Sequence, residues 1–109
     1  MEALTSTLGR ITISSDAIAQ IVAETARESY GVVGMKSPLH KRLDRARGIR
    51  IGRDGDDITI ELHVVVEYGL NLAEVASTIR NRIAYEVERM TGLPVRSVEV
   101  HIEDVKRGK

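Results

Sequence analysis

The sequence predicts an α+β fold in which two helices pack on one face of a mixed, largely antiparallel β-sheet. Three observations predict this fold. Segments with an apolar residue at every second position alternate with segments in which apolar residues recur every three or four positions. The long segments follow one another in a βαββαβ-like order, and each has one apolar side. A two-layer arrangement covers all these apolar sides and leaves the second face of the sheet polar.

The chain length and composition are typical of one small domain. With 109 residues, of which 42% are apolar, the chain can bury a single hydrophobic core. We expect a flexible N-terminus at 1–7, one domain at 8–105 and a basic tail at 106–109. The sequence contains no cysteine, which excludes disulfides and cysteine zinc sites and favours the cytoplasm. We expect neither a signal peptide nor a membrane-spanning segment.

The first third of the chain predicts a strand, a helix and a short extended piece. Residues 8–13 are rich in β-formers, and Ser14 or Ser15 can cap the helix that follows, which ends before Gly31. Residues 32–35 form the extended piece. The apolar stripe of the helix contains Ile18, Ile21, Val22 and Ala26.

A β-hairpin is predicted next, because Asp54-Gly55 lies between the β-rich segments 49–51 and 58–68. Alternation assigns the residues of the second arm to two faces. The core face contains Ile58, Ile60, Leu62, Val64, Val66 and Tyr68. The polar face contains Thr59, Glu61, His63, Val65 and Glu67.

A long second helix and a last strand complete the predicted fold. Asn71 and Glu74 can form a capping box at the start of the helix, which runs to about Met90, and Gly92 and Pro94 end it. Its apolar stripe contains Leu72, Val75, Ile79, Ile83, Val87 and Met90. The last strand, at about 95–104, directs Val98, Val100 and Ile102 inward and Glu99, His101 and Glu103 outward.

The predicted polar face contains two histidines, His63 and His101, each flanked by glutamates. Imidazole and carboxylate are ordinary zinc ligands, so neighbouring strands could hold a divalent metal. Charged residues at alternate positions are also typical of the solvent-exposed face of any half-buried strand. A short histidine spacing such as HExxH is absent from the sequence. We therefore expect a solvated face and no metal. A protein-binding face is the alternative, which Val65 favours because an interface core uses such a residue.

A basic segment at 36–50 is the second candidate site. It contains Lys36, Lys41, Arg42, Arg45, Arg47 and Arg50 but only one acid, Asp44. A solvated loop is the simplest interpretation, and the alternatives are a site for an acidic protein or for phosphates of RNA or anionic lipid. The net charge of zero and the aromatic share of 3% weaken a nucleic-acid function. The predicted partner-binding residues are Lys41, Arg42, Arg45, Arg47, Glu61, His63, Val65, Glu67 and His101.

The motifs of the common enzyme classes are missing from the sequence. It contains no phosphate-cradling glycine-rich loop, no nucleophile elbow, and no Ser or Thr whose surroundings suggest a paired base. We therefore predict a non-enzymatic protein with no catalytic residues and no cofactor.

Three motifs are distinctive: the G-x-I-x-I-S start, the Tyr-Gly-Val-Val-Gly-Met block at 30–35 and the Val-x-Tyr-Gly segment at 66–69 before a long helix. Together they resemble the alkaline shock protein 23 family, found mainly in Gram-positive bacteria. The similarity covers roughly residues 9–105. It is greatest to the short, single-domain branch without a membrane anchor, which is often encoded beside a fatty-acid-kinase-like protein.

This resemblance implies a non-enzymatic cytoplasmic protein that affects cell-envelope homeostasis and attaches to the membrane through an anchoring partner. It carries over no catalytic residues, and it implies self-association into a homo-oligomer. The leading hypothesis is an interaction protein that self-associates and docks to a membrane-associated or lipid-metabolic partner. The alternative is an RNA- or ribosome-associated module that uses the basic 36–50 segment.

Overall fold

The computed structural model describes residues 3–6, 9–36 and 48–107, which contain two helices and six strands. In chain order the elements are β1 (Ala3–Ser6), β2 (Gly9–Thr12), α1 (Ser15–Arg27), β3 (Val32–Met35), β4 (Ile49–Asp54), β5 (Asp57–Glu67), α2 (Leu72–Thr91) and β6 (Val95–Lys106).

The main sheet is built around β5. Strand β6 pairs with it in parallel over residues 58–67, so that β3 and β4 share the opposite edge of β5, where both are antiparallel. Strand β4 covers the first half of β5, and β3 covers residues 64–66. The sheet is therefore mixed and largely antiparallel, as predicted.

Both helices lie on one face of this sheet, which confirms the predicted two-layer α+β fold. The core between the layers is aliphatic. It contains Ile18, Val22, Ala23 and Ala26 of α1, Val75, Ile79, Ile83 and Val87 of α2, and Ile49, Ile58, Ile60, Leu62, Val64, Val66 and Val98 of the sheet, with Leu93 beside them. Over the described residues, no helix is both long enough and apolar enough to cross a membrane.

The helix ends follow the capping signals of the sequence. The side chain of Ser14 accepts a hydrogen bond from the Ala17 amide at 3.0 Å, and that of Asn71 accepts one from the Glu74 amide at 3.0 Å. Gly92 ends α2 in the left-handed conformation, with φ of 76°. These contacts satisfy backbone groups that a helix cannot pair internally.

The N-terminal strand differs from the prediction. Strand β2 does not join the main sheet but pairs with β1 in a separate two-stranded sheet, with Ala3 opposite Thr12 and Ser6 opposite Gly9. The segment expected to be a flexible N-terminus thus contains β1. Alternation of residue types identified β2 as a strand but carries no information about its partner.

Tyr68 was predicted in the core, and this was wrong. Strand β5 ends at Glu67, and Gly69 turns the chain with φ of 99°, so Tyr68 lies beyond the sheet and is 58% exposed. Leu72 and Met90, at the two ends of the α2 stripe, are also exposed. The basic residues at 37–47 lie outside the described residues.

Gly48 and Gly55 provide a matched test of one close backbone approach. Both have positive φ, but a Cβ on Gly48 would lie 2.9 Å from the Lys36 carbonyl oxygen, whereas one on Gly55 would meet nothing within 4 Å. We expect Gly55→Ala to lower the free energy of unfolding by about 1 kcal/mol through backbone strain alone. Gly48→Ala should lower it by about 2–4 kcal/mol, because a steric clash adds to the strain. Urea unfolding measures both, and equal losses would contradict the close approach.

Candidate functional site

The parallel pairing of β5 and β6 brings two similar segments side by side on the face of the sheet away from the helices. In the register of this pair, Glu61 lies opposite Glu99 and His63 lies opposite His101. The segments Glu61-Leu62-His63 and Glu99-Val100-His101 thus form a two-by-two arrangement of glutamates and histidines. The sequence contained both segments, but only the strand pairing places them together.

His63 is buried between two carboxylates, which corrects the prediction that it is solvated. Its side chain is only 3% exposed. Its Nε2 atom lies 2.9 Å from Glu61 Oε2, and its Nδ1 atom lies 2.5 Å from Glu103 Oε2. The prediction was wrong because alternation along a strand specifies the face of the sheet but not the depth of burial, and β5 is the central strand.

Glu103 reaches His63 because the pairing of β5 and β6 is irregular at this point. Val64 lies opposite Ile102 and Val65 lies opposite Asp104, so Glu103 is an extra residue on β6. Such a bulge redirects a side chain, and here the carboxylate of Glu103 contacts the histidine of the neighbouring strand. Alternation along β6 predicts Glu103 on the same face as His101 but does not predict its contact with His63.

His101 stacks on His63 and faces solvent, as predicted. The two imidazole ring centroids are 4.5 Å apart, with 12° between the ring planes, and the His101 side chain is 45% exposed. Its Nε2 atom lies 3.3 Å from Glu99 Oε1 and 3.9 Å from Glu61 Oε2. Glu61 therefore lies between the ring nitrogens of both histidines. Glu61, His63 and His101 each offer a ligand atom, and these three atoms lie within 4.8 Å of one another.

The electrostatic surroundings keep Glu61 in its carboxylate form. Partial burial raises the pKa of this carboxyl, but the hydrogen bond from His63 and the positive charge of Arg50 outweigh burial. Positive charge on His63 and His101 lowers the pKa further, so that the net shift is below the ordinary value. Arg50 is positioned for this effect because it pairs with Glu61 across β4 and β5.

The other predicted partner-binding residues do not extend this cluster. Val65 is only 6% exposed, which leaves little of its surface for a partner, and its use in a protein-binding face stays a prediction. Glu67 lies at the end of β5, opposite Lys106, and forms no ion pair with either histidine within the described ranges. The predicted basic residues Lys41, Arg42, Arg45 and Arg47 lie outside the described residues.

Exposed apolar residues lie on chain segments that meet at one end of the sheet, and alternation along single strands does not predict this. The Glu67 amide donates a hydrogen bond to the Gly31 carbonyl, and the Tyr68 amide donates one to that of Lys106, so the chain segments around these residues meet there. We call this surface the apolar end. It consists of Tyr30, Val33, Tyr68, Leu72 and Val105, all of them exposed.

Comparison with known proteins identifies one matching family. The model of the alkaline shock protein 23 family, described as having a cell envelope-related function, matches residues 3–107. The protein YloU of Bacillus subtilis is 30% identical over 107 residues, which cover 90% of this chain and 89% of that protein. A stress response regulator gls24 homolog of Streptococcus pyogenes is 28% identical over 112 residues, which cover 94% of this chain and 63% of that protein. None of these descriptions names an enzymatic activity.

The fold also resembles that of solved structures. MamM-CTD superposes with a TM-score of 0.55 and 20% sequence identity, covering 84% of this chain and 99% of that chain. At this identity the similarity concerns the α+β fold alone.

Proposed function

This chain belongs to the alkaline shock protein 23 family, and we propose that it acts as a non-enzymatic interaction protein of the envelope-stress type. In this proposal it works in the cytoplasm, where it self-associates and docks to a membrane-associated or lipid-metabolic protein. The family description and the name of the streptococcal relative support the stress-related part of the proposal. The apolar end supports the interaction part.

The apolar end has the composition of a protein-binding surface. Tyr30 is 72% exposed, Tyr68 58% and Val33 50%. Exposed apolar groups that collect in one place mark interaction sites more often than single ones do. Tyrosine is enriched at interfaces because its ring is apolar and its hydroxyl can remain hydrated. The guanidinium of Arg107 lies 4.5 Å from the centre of the Tyr68 ring, which adds a charged group at its border.

The same end contains two of the segments that carry the family resemblance. Strand β3 belongs to the Tyr-Gly-Val-Val-Gly-Met block and pairs with β5 up to Val66, the first residue of the Val-x-Tyr-Gly segment. Gly31 and Gly69 both have positive φ, which lets the chain turn beside each tyrosine. Both segments thus contribute an exposed tyrosine to one surface. We propose that this surface contacts a second copy of the chain and the membrane-associated partner.

Substitution of Tyr30 and Tyr68, with substitution of Tyr85 as the control, tests self-association. We expect the double variant Tyr30→Ser, Tyr68→Ser to weaken self-association at least about tenfold, because large aromatic residues dominate interface energies. Tyr85→Ser is the control, because Tyr85 is 64% exposed but lies in the middle of α2. Sedimentation velocity over a concentration series measures the effect. Equal behaviour of the two variants, or a wild-type chain that stays monomeric at every concentration, would contradict the proposed self-association.

Docking to a membrane-associated partner is tested in the cells that produce the protein. After nuclease treatment at moderate salt, we expect the wild-type chain and Tyr85→Ser to sediment with membranes, and the double tyrosine variant to remain in the supernatant. Membrane association that the double variant retains would refute a role for the apolar end. A chain recovered with ribosomes, and released by nuclease, would favour RNA binding through the basic 36–50 segment instead.

A further inference from the structure

The paired Glu-x-His segments of β5 and β6 have the composition of a metal site. Each segment places a glutamate and a histidine on the same face of its strand, two positions apart. The parallel register places Glu61 opposite Glu99 and His63 opposite His101, so two imidazoles and two carboxylates lie close together. Two nitrogen and two oxygen donors are a common ligand set for Zn²⁺ and related divalent ions.

Three separations between the donor atoms lie close to those of a site for one small ion. For metal–ligand bonds of about 2.0–2.1 Å, the ligand atoms of a tetrahedral site are about 3.3 Å apart. The Nε2 atom of His63 lies 2.9 Å from Glu61 Oε2, and the Nε2 atom of His101 lies 3.9 Å from the same oxygen. Glu99 Oε1 lies 3.3 Å from His101 Nε2. These separations lie on both sides of the tetrahedral value, and the half-exposed His101 can adjust.

Both ring nitrogens of His63 lie within hydrogen-bonding distance of a carboxylate, and this concentration of negative charge favours a cation. Ionised carboxylates only accept hydrogen bonds, and both ring nitrogens of His63 face a carboxylate oxygen. His101 stacks on this ring with 4.5 Å between the ring centroids, so a second imidazole lies beside the same carboxylates.

Glu103 supplies the outer contact that a metal-binding histidine needs. Its carboxylate lies 2.5 Å from His63 Nδ1, the nitrogen that points away from Glu61. Such a carboxylate holds the proton on Nδ1 and thereby directs the Nε2 lone pair toward the metal. The His101 side chain is 45% exposed, so an ion can reach this ligand from solvent.

We propose that this chain binds one Zn²⁺-class divalent ion through His63 Nε2, His101 Nε2 and the Glu61 carboxylate, with Glu99 as the fourth ligand and Glu103 orienting His63. The site lies on the sheet face opposite the helices and is separate from the apolar end. The geometry of β5 and β6 carries this proposal independently of the proposed function.

Calorimetric titration of the full chain tests the site. The protein is treated with a chelator, dialysed, and titrated with ZnCl₂ near neutral pH. We expect saturation at one ion per chain, and no saturable binding of Mg²⁺ or Ca²⁺, which prefer oxygen ligands alone. Co²⁺ should give visible absorption typical of low coordination number. Absence of saturable Zn²⁺ binding to the wild-type chain would overturn the proposal.

Three variants then identify the ligands. We expect His101→Gln to abolish saturable Zn²⁺ binding, and Glu103→Gln to weaken it about 10–100-fold, as loss of an orienting carboxylate does. Glu24→Gln, an exposed position on α1, is the control and should bind like wild type. Circular dichroism checks that each variant is folded. We expect His101→Gln to fold because the His101 side chain is half-exposed. Unchanged zinc affinity in folded His101→Gln would refute the assigned ligands.

Discussion

Replacing His63 by Leu is expected to lower the free energy of unfolding by about 2–4 kcal/mol. Leucine fills a similar volume, so the loss arises from charge and not from a cavity. Leaving a buried charged group without its hydrogen-bond partner costs more than about 1–3 kcal/mol, and this substitution removes the partner of two carboxylates. Here the carboxylates of Glu61 and Glu103 keep some contact with solvent, at 21% and 29% side-chain exposure, so we expect a smaller loss.

His101→Leu is the matched control for this prediction. His101 lies at the same register position on β6 but is 45% exposed, and surface substitutions change stability by about 0.5 kcal/mol. Urea unfolding in the presence of a chelator measures both variants without a metal contribution. Equal small losses would mean that His63 is solvated in solution, as strand alternation alone predicted.

A double-mutant cycle separates the contact between His63 and Glu103 from other effects of the His63 substitution. Glu103→Gln should destabilise the wild-type chain, where it removes a contact to His63. In the His63→Leu background it should cost less or stabilise the chain, because it removes an unpaired charge. A coupling of about 1 kcal/mol or more is expected for such neighbours. No coupling would show that Glu103 and His63 do not interact.

The parts of the fold that depend on local signals could be predicted from the sequence. Ser14, Asn71 and Gly92 mark helix ends because each satisfies backbone groups within a few residues. The hairpin turn at Gly55 is equally local. Alternation and helical periodicity identified the aliphatic core because every apolar face must be covered by another.

The candidate site depends on contacts between distant strands, which local signals do not contain. Glu103 and His63 are 40 positions apart and meet only because β6 lies parallel to β5 and bulges at this residue. Val65 was assigned to the correct face, but alternation does not tell how deeply a central strand is buried. Tyr68 was misplaced because the alternating pattern continued one residue past the end of β5.

Replacing Val64 by Asp is expected to prevent folding altogether. Val64 is fully buried between the sheet and the helices, and its removal alone loses about 1.5–3 kcal/mol of hydrophobic stabilisation. The new carboxyl must either remain charged in an apolar core or take up a proton. Protonating an aspartate at pH 7, well above its ordinary pKa of about 3.9, costs about 4 kcal/mol.

The total loss for Val64→Asp, about 5.5–7 kcal/mol, exceeds the lower end of the stability range of small domains, which is about 5–15 kcal/mol. Val33→Asp is the control, because Val33 lies in the adjoining strand β3 but is 50% exposed, so its carboxylate stays hydrated. Far-ultraviolet circular dichroism should show an unfolded Val64→Asp chain and a folded Val33→Asp chain. If Val64→Asp folds with a cooperative thermal transition, the face of β5 assigned to the core is wrong. The opposite face, with His63 and its carboxylates, would then be misassigned as well, because the two faces alternate along one strand.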